Sequence, residues 1–327
     1  MRPEASIRVI VNGSSLLLQL KAIGGLPETS TVTVTIAAAS DATGDVLKEA
    51  LEKLETTALI DRPITFALDA DGRLIAGVGY TERTIPLHEA VESNKTTAVW
   101  IDATGGLHFA PSIFTGVTNG NKPAVTIRSP YDGLYTVIRS DKSFADMNGH
   151  WAQQEIELLA NKRIVEGQPD GQFAPNDSIT RAEFAELLVR ALGLPEATSQ
   201  PSFSDVDSAS WFSGAVGAAR QAGLIDGYGD GTFQPDAHIT REQMAVMIGR
   251  ALAYAGKSPE ADSGMLQTFA DGSDIAGWAA DAAAQAAGTG IIQGMAGAAF
   301  APEAEASRAQ SAVMLQRMLA YLQFINN

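Results

Sequence analysis

Three tryptophan–arginine pairs with a constant spacing carry the residue types best suited to ligand binding in this chain. Each arginine follows its tryptophan by 30 residues: Trp151 and Arg181, Trp211 and Arg241, Trp278 and Arg308. A guanidinium group offers a planar fork of N–H donors that matches an anionic group. An indole offers a flat apolar face that can lie against the C–H surface of a sugar. Three copies of one such feature favour a multivalent binding protein over a single catalytic centre.

Each pair lies within a longer segment that occurs three times. A Phe-x-Asp sequence precedes each tryptophan, a Phe-x-Pro sequence follows it, and a hydroxyl residue stands directly before each arginine. The aspartates are Asp146, Asp205 and Asp271, and the phenylalanines of the second sequence are Phe173, Phe233 and Phe300. Such internal repetition is typical of repeat architectures. Because each copy is too small to bury a core alone, we expect the three copies to pack together.

The three arginines stand at the first position of predicted helices. The sequences Thr180-x-x-Glu183, Thr240-x-x-Gln243 and Ser307-x-x-Gln310 are capping boxes, which mark helix starts. One helix is predicted over 180–192, ending before Gly193, and another is predicted to begin at Trp151. A cation at a helix start opposes the helix dipole at a cost of about 0.3–1 kcal/mol, so its presence in all three copies needs a reason.

Two interpretations of these arginines stay open. In the functional one, the guanidinium and free helix N–H groups together form an anion site. In the structural one, each arginine pairs with a nearby acid, such as the aspartate of a Phe-x-Asp sequence, and locks one repeat to the next. The tryptophans leave a similar choice between packing in the core and contact with a ligand. The loops Gln168–Gly171 and Tyr228–Gly231 are turns whose glycines also permit a ligand to approach the backbone.

Composition excludes several classes of function. The chain has no cysteine, which excludes a disulfide scaffold, a thiolate metal site and a cysteine nucleophile. The net charge is −15, and the 11 Lys and Arg and 23 Asp and Glu of residues 141–327 account for −12 of it. This balance argues against sequence-independent nucleic-acid binding. No apolar run approaches the roughly 20 residues of a membrane span. Met1–Glu4 lacks the apolar core of a signal peptide, so we expect an exported form to be a mature chain or a fragment.

Nothing in the sequence indicates catalysis. The four histidines share no metal-ligand spacing, and neither a nucleophile-elbow nor a phosphate-loop sequence occurs. Carboxylates are plentiful, but no pair of them is set apart as an acid and a base. We therefore predict no enzyme activity, no metal and no cofactor.

Residues 1–140 are predicted to form an antiparallel β-sandwich with one inserted helix, because apolar and polar residues alternate along short segments. Asp-Gly and Gly-Gly turns indicate hairpins. The helix is predicted over Asp45–Thr57, where apolar residues recur at helical spacing. The predicted strands are Ser6–Val11, Thr31–Ile36, Ile64–Leu68, Arg73–Val78, Ala98–Ile101, Leu107–Phe109, Pro123–Arg128 and Gly133–Ile138, of which the last two are expected to pair.

After residue 143 the apolar period changes from two to 3.6, so the predicted fold class is α+β in two domains. Connectors rich in proline, serine and alanine separate the helical copies. The predicted boundaries are 1–140 for the β-domain and 141–194, 195–256 and 257–327 for the three repeats.

The repeated segment resembles the S-layer homology motif. In the first copy the resemblance rests on Phe144–Ala152, Ile164–Asn176 and Ile179–Phe184, and in the second on Ile225–Pro235 and Ile239–Gln243. Proteins of this family look like three-pronged spindles around a pseudo-threefold axis, with ligand grooves between adjacent repeats. The resemblance implies non-covalent attachment of an exported protein to the cell wall of Gram-positive bacteria. The ligand it implies is a secondary cell wall polysaccharide, often ending in pyruvylated N-acetylmannosamine.

Carried over by position, the resemblance implies a set of glycan-binding residues in each repeat. They are Asp146, Trp151, Gly167, Gly171 and Arg181 in the first, Asp205, Trp211, Gly227, Gly231 and Arg241 in the second, and Asp271, Trp278, Gly294 and Arg308 in the third. The third repeat departs from the motif, with Met295–Ala298 in place of the glycine-containing loop. We therefore expect Arg181 and Arg241 to contribute more to binding than Arg308.

The predicted function is cell-wall anchoring by a monomeric, extracellular protein, with residues 1–140 as a spacer, no nucleic-acid partner and no membrane span. Three alternatives remain. The chain could be a self-assembling S-layer subunit, with residues 1–140 in lattice contacts. It could be the wall-binding fragment of a larger surface glycoside hydrolase. Residues 1–140 could also form a carbohydrate-binding module.

Overall fold

The computed structural model describes residues 5–75, 79–117, 122–198 and 203–326. The chain forms two compact units. The first contains Met1–Lys142 together with Asn161–Arg163 and Gln323–Asn327, and the second contains Ser143–Ala160 and Ile164–Leu322. Antiparallel sheets make up the first unit and helices the second, which confirms the predicted α+β class.

Twelve strands of the described residues form two antiparallel sheets in the first unit. The five-stranded sheet has the order β1-β2-β7-β11-β10. The seven-stranded sheet has the order β3-β5-β12-β8-β9, with β4 beside β12 and β6 beside β5. The strands are β1 (Ser6–Val11), β2 (Ser14–Gln19), β3 (Val32–Ala38), β4 (Thr57–Ala58), β5 (Ile64–Ala70), β6 (Arg73–Leu74), β7 (Thr81–Pro86), β8 (Thr96–Ile101), β9 (Leu107–Ala110), β10 (Ser112–Thr115), β11 (Ala124–Ser129) and β12 (Gly133–Arg139).

The two sheets share one hydrophobic core. Leu16 and Ile127 of the five-stranded sheet belong to the same buried cluster as Phe66 and Val137 of the seven-stranded sheet. Each sheet is apolar on one face, and packing these two faces against each other removes them from water.

The inserted helix α1 (Asp41–Lys53) covers the opposite face of the seven-stranded sheet, where its Leu47 and Leu51 pack on Val99 and Ile138. It begins four residues earlier than predicted. Ser40 supplies the missed start signal, because its hydroxyl accepts from the Thr43 N–H.

Two predicted hairpins are confirmed, β5 with β6 and β8 with β9. Residues 76–78 of the predicted strand Arg73–Val78 lie outside the described residues. The predicted pairing of Pro123–Arg128 with Gly133–Ile138 is wrong, because β11 pairs with β7 and β10 while β12 belongs to the other sheet. Strands β2, β4, β7 and β10 were not predicted.

The connection from β11 to β12 passes from one sheet to the other and is held by buried polar groups. The Tyr135 hydroxyl donates to the Tyr131 carbonyl at 2.6 Å. Arg83, which is 1% exposed, donates to the carbonyls of Ser129 and Tyr131 and forms an ion pair with Asp132 at 3.0 Å. These bonds satisfy the backbone of the crossing segment, so it has no need of a hairpin partner.

Two short segments from the later part of the sequence, Asn161–Arg163 and Gln323–Asn327, complete the first unit. Lys162, 1% exposed, donates from Nζ to the carbonyls of Ser93 and Thr96 at 2.9 and 3.0 Å. Burial lowers the pKa of Lys162 to about 7. At the other segment, the Ser112 N–H at the edge of the five-stranded sheet donates to the Phe324 carbonyl at 2.7 Å.

The helices of the second unit are α2 (Gln153–Asn161), α3 (Arg181–Ala191), α4 (Ser213–Gln221), α5 (Arg241–Tyr254), α6 (Ala280–Gly288) and α7 (Arg308–Tyr321). Only the last residue of α2, Asn161, belongs to the first unit. The three predicted capping boxes are confirmed at the starts of α3, α5 and α7. Helix α2 begins two residues after Trp151 rather than at it. No helix in the described residues is long and apolar enough to cross a membrane.

Candidate functional site

The three repeated aspartates hold the backbone of their own repeat. Asp146 accepts from the N–H groups of Phe173 and Ala174 at 2.8–3.1 Å. Asp205 does the same for Phe233 and Gln234, and Asp271 for Phe300 and Ala301. Burial raises the pKa of Asp146, but the N–H donors outweigh it and leave this pKa below its usual value. These carboxylates therefore stabilise the loop that contains the Phe-x-Pro sequence of each repeat.

Each repeated arginine reaches the neighbouring repeat at the same phenylalanine. The Nε donors of Arg181, Arg241 and Arg308 bond the carbonyls of Phe233, Phe300 and Phe173 at 2.9, 2.7 and 2.9 Å. One phenylalanine thus gives its N–H to an aspartate and its carbonyl to an arginine. The arginines do lock the repeats together, chiefly through this carbonyl. Arg308 also pairs with a nearby acid, Glu183 of the first repeat, as the structural interpretation expected. The aspartates suggested as partners form no ion pair with the three arginines among the described residues.

The predicted free helix N–H groups beside the arginines are not present. Arg181 N donates to the Ala237 carbonyl at 2.9 Å and Ala182 N to the Pro235 carbonyl at 3.0 Å. Glu183 N donates to the Thr180 side chain. The first turns of α5 and α7 are satisfied in the same way by Ala304 and Pro302 and by Asp177 and Pro175. An anion in this region therefore depends on the guanidinium rather than on the helix terminus.

The arginine contacts run from repeat to repeat and return to the first. Antiparallel bridges join Ser178 to Ser307, Thr180 to His238, and Thr240 to Glu305. Arg308 of the third repeat donates to the Glu166 carbonyl in the first repeat's loop, and Arg241 reaches the Gln293 carbonyl in the third. The prediction that Arg181 and Arg241 contribute more to binding than Arg308 paired each arginine with the loop of its own repeat. That pairing is wrong, because Arg308 lies at an intact loop and Arg241 at the degenerate one.

The first groove is a cavity of about 540 Å³ assembled from all three repeats. Its floor and walls come from the loop 165–169 and one face of α3. Trp211 of the second repeat and Arg308 of the third complete it. Its charged lining residues are Glu166, Glu183, Glu186, Arg190 and Arg308.

The second groove repeats this arrangement one repeat further along, with a volume of about 240 Å³. It is built from the loop 225–228 and one face of α5, with Trp278 of the third repeat and Arg181 of the first. Its charged lining residues are Arg181, Asp226 and Arg250.

The repeated tryptophans are exposed. Trp151, Trp211 and Trp278 are 63%, 61% and 61% accessible, so the interpretation as core residues is wrong. Trp211 lines the first groove and Trp278 the second. A large apolar ring left in water at the rim of a cavity is available to a ligand.

The glycines repeated in the loops have two separate structural reasons. A Cβ on Gly167 or Gly227 would lie 2.7 or 2.5 Å from the ring of Phe144 or Phe203. Gly171 and Gly231 have φ of +81° and +84°, which favours glycine in a turn. A Cβ on Gly294 would meet its nearest atoms at 3.5 Å, so the third copy lacks this constraint.

Sequence reasoning missed a second set of groove residues. Arg190 and Arg250 line the two grooves, and Glu183 and Gln243 line them through their side chains. A signal was present, because an arginine recurs nine residues after each repeated arginine, at 190, 250 and 317. The residues 183 and 243 were recognised for helix capping alone.

The grooves and the repeats that build them define a repeat-based binding module. The sequence profile of the S-layer homology domain matches residues 143–185, 202–245 and 268–312. The helical part of the chain therefore belongs to the S-layer homology family, as the motif resemblance predicted.

Several known proteins resemble part of the chain. An amylopullulanase of Thermoanaerobacterium thermosulfurigenes is 36% identical over 204 residues, or 62% of this chain and 11% of the relative. S-layer protein EA1 of Bacillus anthracis is 34% identical over 54% of this chain and 20% of its own length. A cellulosome-anchoring protein of Acetivibrio thermocellus is 32% identical over 48% of this chain and 35% of its own length. The aligned region thus spans only about a tenth to a third of each of these relatives.

Proposed function

We propose that the second unit attaches the protein non-covalently to the bacterial cell wall by binding a secondary cell wall polysaccharide. The supporting observation is the repeated groove, in which an exposed indole, a guanidinium and a glycine-containing loop line one cavity. An indole suits the apolar face of a sugar ring, and a guanidinium suits a carboxylate. A pyruvate ketal places a carboxylate directly on a sugar, so a pyruvylated N-acetylmannosamine unit combines both requirements.

Within this proposal the three repeats form a pseudo-threefold arrangement, and the residues carried over from the family motif divide into two roles. Trp211 and Trp278, with Arg308 and Arg181, contact the glycan at the two described grooves. The aspartates and glycines shape the loops that it contacts. The protein acts outside the cell, on the surface of a Gram-positive bacterium, as a monomer. Residues 1–140 serve as a spacer domain.

Two other functions have specific support. The relatives include an S-layer protein and an amylopullulanase, which favours a self-assembling lattice subunit or the wall-binding part of a surface glycoside hydrolase. The mass in solution separates the lattice subunit from a monomer, because a lattice former sediments as a concentration-dependent series of assemblies. The complete gene decides whether a catalytic domain belongs to the same protein.

The test is co-sedimentation of the whole chain with purified cell walls, before and after chemical removal of the secondary polymer. The whole chain is used because residues 161–163 and 323–327 belong to the first compact unit. We expect binding only to untreated walls. A Trp211→Ala, Trp278→Ala double variant should lose binding. Trp151→Ala is the matched control, since Trp151 is equally exposed but lines neither described groove. Equal binding to stripped walls would refute the proposal.

A further inference from the structure

We infer that the two grooves are chemically different, and that the acidic group of the ligand binds in the second groove because residue 243 is glutamine where residue 183 of the first groove is glutamate. This inference rests on the proposed function and adds to it the groove and the residue that determine specificity.

Residues 183 and 243 occupy equivalent positions. Each is the third residue of its helix, and each completes a capping box with the threonine before the arginine. Each also faces the arginine that another repeat contributes to its groove. Arg308 Nη1 lies 3.6 Å from Glu183 Oε1, and Arg181 Nη1 donates to Gln243 Oε1 at 3.2 Å. The same contact is therefore an ion pair in the first groove and a hydrogen bond from the guanidinium to a neutral amide in the second.

The surrounding charges increase this difference. Three carboxylates and two guanidinium groups line the first groove, a formal net charge of −1. One carboxylate and two guanidinium groups line the second, a formal net charge of +1. In the first groove Arg190 lies within ion-pair distance of both Glu186 and Glu166. In the second, Val246 takes the place of Glu186, and Asp226 is paired with Arg250.

The donors that remain for a ligand differ as well. Nε, Nη1 and Nη2 of Arg308 contact the Phe173 carbonyl, the Glu183 carboxylate and the Glu166 carbonyl. Arg181 uses Nε and Nη1 on the Phe233 carbonyl and Gln243, and its Nη2 has no hydrogen bond to the described part of the chain.

Aromatic rings hold the Arg181 guanidinium in place. Its Cζ lies 4.7 Å from the ring centre of Phe233 and 5.0 Å from that of Tyr228. The Tyr228 hydroxyl is in turn hydrogen-bonded by Gln243 Nε2 at 3.3 Å. A cation oriented in this way, with no carboxylate partner among the described residues, is prepared for an anion, because little side-chain freedom is lost on binding.

An anion in the first groove would instead face the Glu183 carboxylate and compete with it for Arg308. Like charges brought together in a partly enclosed site oppose binding. The first groove consequently suits an uncharged sugar of the same polymer, which can lie on Trp211 without needing a free guanidinium. Arg241 is not an equivalent anion site, because it lines neither of the two described grooves.

The test exchanges the two residues singly, Glu183→Gln and Gln243→Glu. Both exchanges keep the capping box, since glutamate completes it in α3 and glutamine in α5 and α7. The whole chain is titrated calorimetrically with pyruvylated N-acetylmannosamine, and with N-acetylmannosamine as the uncharged control. Melting temperatures confirm that each variant is folded.

We expect one site for the pyruvylated sugar in the original protein. Gln243→Glu should weaken this site roughly ten- to a hundredfold, the usual effect of losing a charge-assisted contact. Glu183→Gln should add a second site. Affinity for the uncharged sugar should not change in either variant.

Other results would overturn the inference in distinguishable ways. Two equal sites in the original protein, or no effect of either exchange, would refute the difference between the grooves and leave cell-wall anchoring intact. Co-sedimentation with walls without any binding of the pyruvylated sugar would refute both this inference and the acidic-sugar specificity. Absence of co-sedimentation as well would refute the proposed function itself.

Discussion

The two units of the chain both bury arginine side chains, but they leave different amounts of each guanidinium for other molecules. In the first unit, both terminal nitrogens of Arg83 bond groups of the same unit, including the Ser129 and Tyr131 carbonyls and the Asp132 carboxylate. In the second unit, Arg181 ties two repeats together through Nε and keeps Nη2 without a bond to the described residues.

The difference shows how one residue type can serve stability or binding. A buried guanidinium must be matched by acceptors, because an unpaired buried charge is costly. At Arg83 the fold supplies acceptors for both terminal nitrogens, although its Nε is buried without a partner, and the side chain is structural. Where the fold supplies only part of them and a groove provides access, the remaining donor can be matched by a ligand. The predictions on Arg83 and Lys162 test whether buried cations stabilise the first unit, and the last prediction tests whether a recurring residue of the second unit serves binding.

Replacing Arg83 by methionine should cause the largest loss of stability. The change removes the cation that pairs with the Asp132 carboxylate, and breaking a buried ion pair typically costs about 3–5 kcal/mol. Chemical denaturation followed by circular dichroism measures the free energy of unfolding. Arg128→Met is the control, because the Arg128–Glu82 pair is about one third exposed and should cost at most about 1 kcal/mol. Equal losses would contradict the structural role of Arg83.

The lysine of the first unit should make stability depend on pH. The pKa of Lys162 is about 7 in the folded protein, below its ordinary value of 10.5. Between these two values the unfolded chain binds a proton that the folded chain does not, so this residue makes stability rise with pH. The slope approaches about 1.4 kcal/mol per pH unit.

Lys162→Met is the matched variant for this prediction, because other groups also titrate. The free energy of unfolding of the original protein, minus that of the variant, should increase from pH 7 to pH 9.5. A difference that is constant over this range would show that Lys162 remains charged in the fold. Its two carbonyl acceptors would then be sufficient to hold an ammonium group.

Sequence patterns predicted the framework of the second unit better than the topology of the first. Capping boxes and repeat spacing are local signals, so the starts of α3, α5 and α7 were predictable. The crossing of β11 to β12 was not, because it depends on Arg83, which lies some 46 residues away from Ser129. A turn sequence between two strands does not reveal which sheet each strand joins.

The same limit applies to the grooves. The tryptophans and arginines were identified by type and spacing. The predicted ranking of the arginines, however, paired each one with the glycine-containing loop of its own repeat. The bonds from Arg308 to Phe173 and Glu166 span 135 and 142 residues, and no local pattern encodes such a distance. The role of residue 183 was hidden for the same reason, since its capping function is local and its contact with Arg308 is not.

Gly227 should be more sensitive to substitution than Gly294, although both occupy the same place in the repeat. An added Cβ at 227 would lie 2.5 Å from both the Phe203 ring and the Thr232 carbonyl oxygen. Overpacking of this kind costs about 1–3 kcal/mol. At 294 the nearest atoms are at 3.5 Å, and Gly294→Ala should be nearly neutral. Thermal denaturation of the two alanine variants gives the comparison, and similar melting temperatures would contradict it.

Trp278→Ala should have the smallest effect on stability and a clear effect on binding. The indole is 61% exposed, and its removal should change the free energy of unfolding by no more than about 0.5 kcal/mol, as for other surface substitutions. Phe233→Ala is the contrasting variant, because this ring is fully buried and its loss should cost about 3–5 kcal/mol. Co-sedimentation with cell walls should fall for Trp278→Ala while its melting temperature stays close to that of the original protein. A large loss of stability for Trp278→Ala would mean that the indole supports the fold, as the Arg83 side chain does in the first unit.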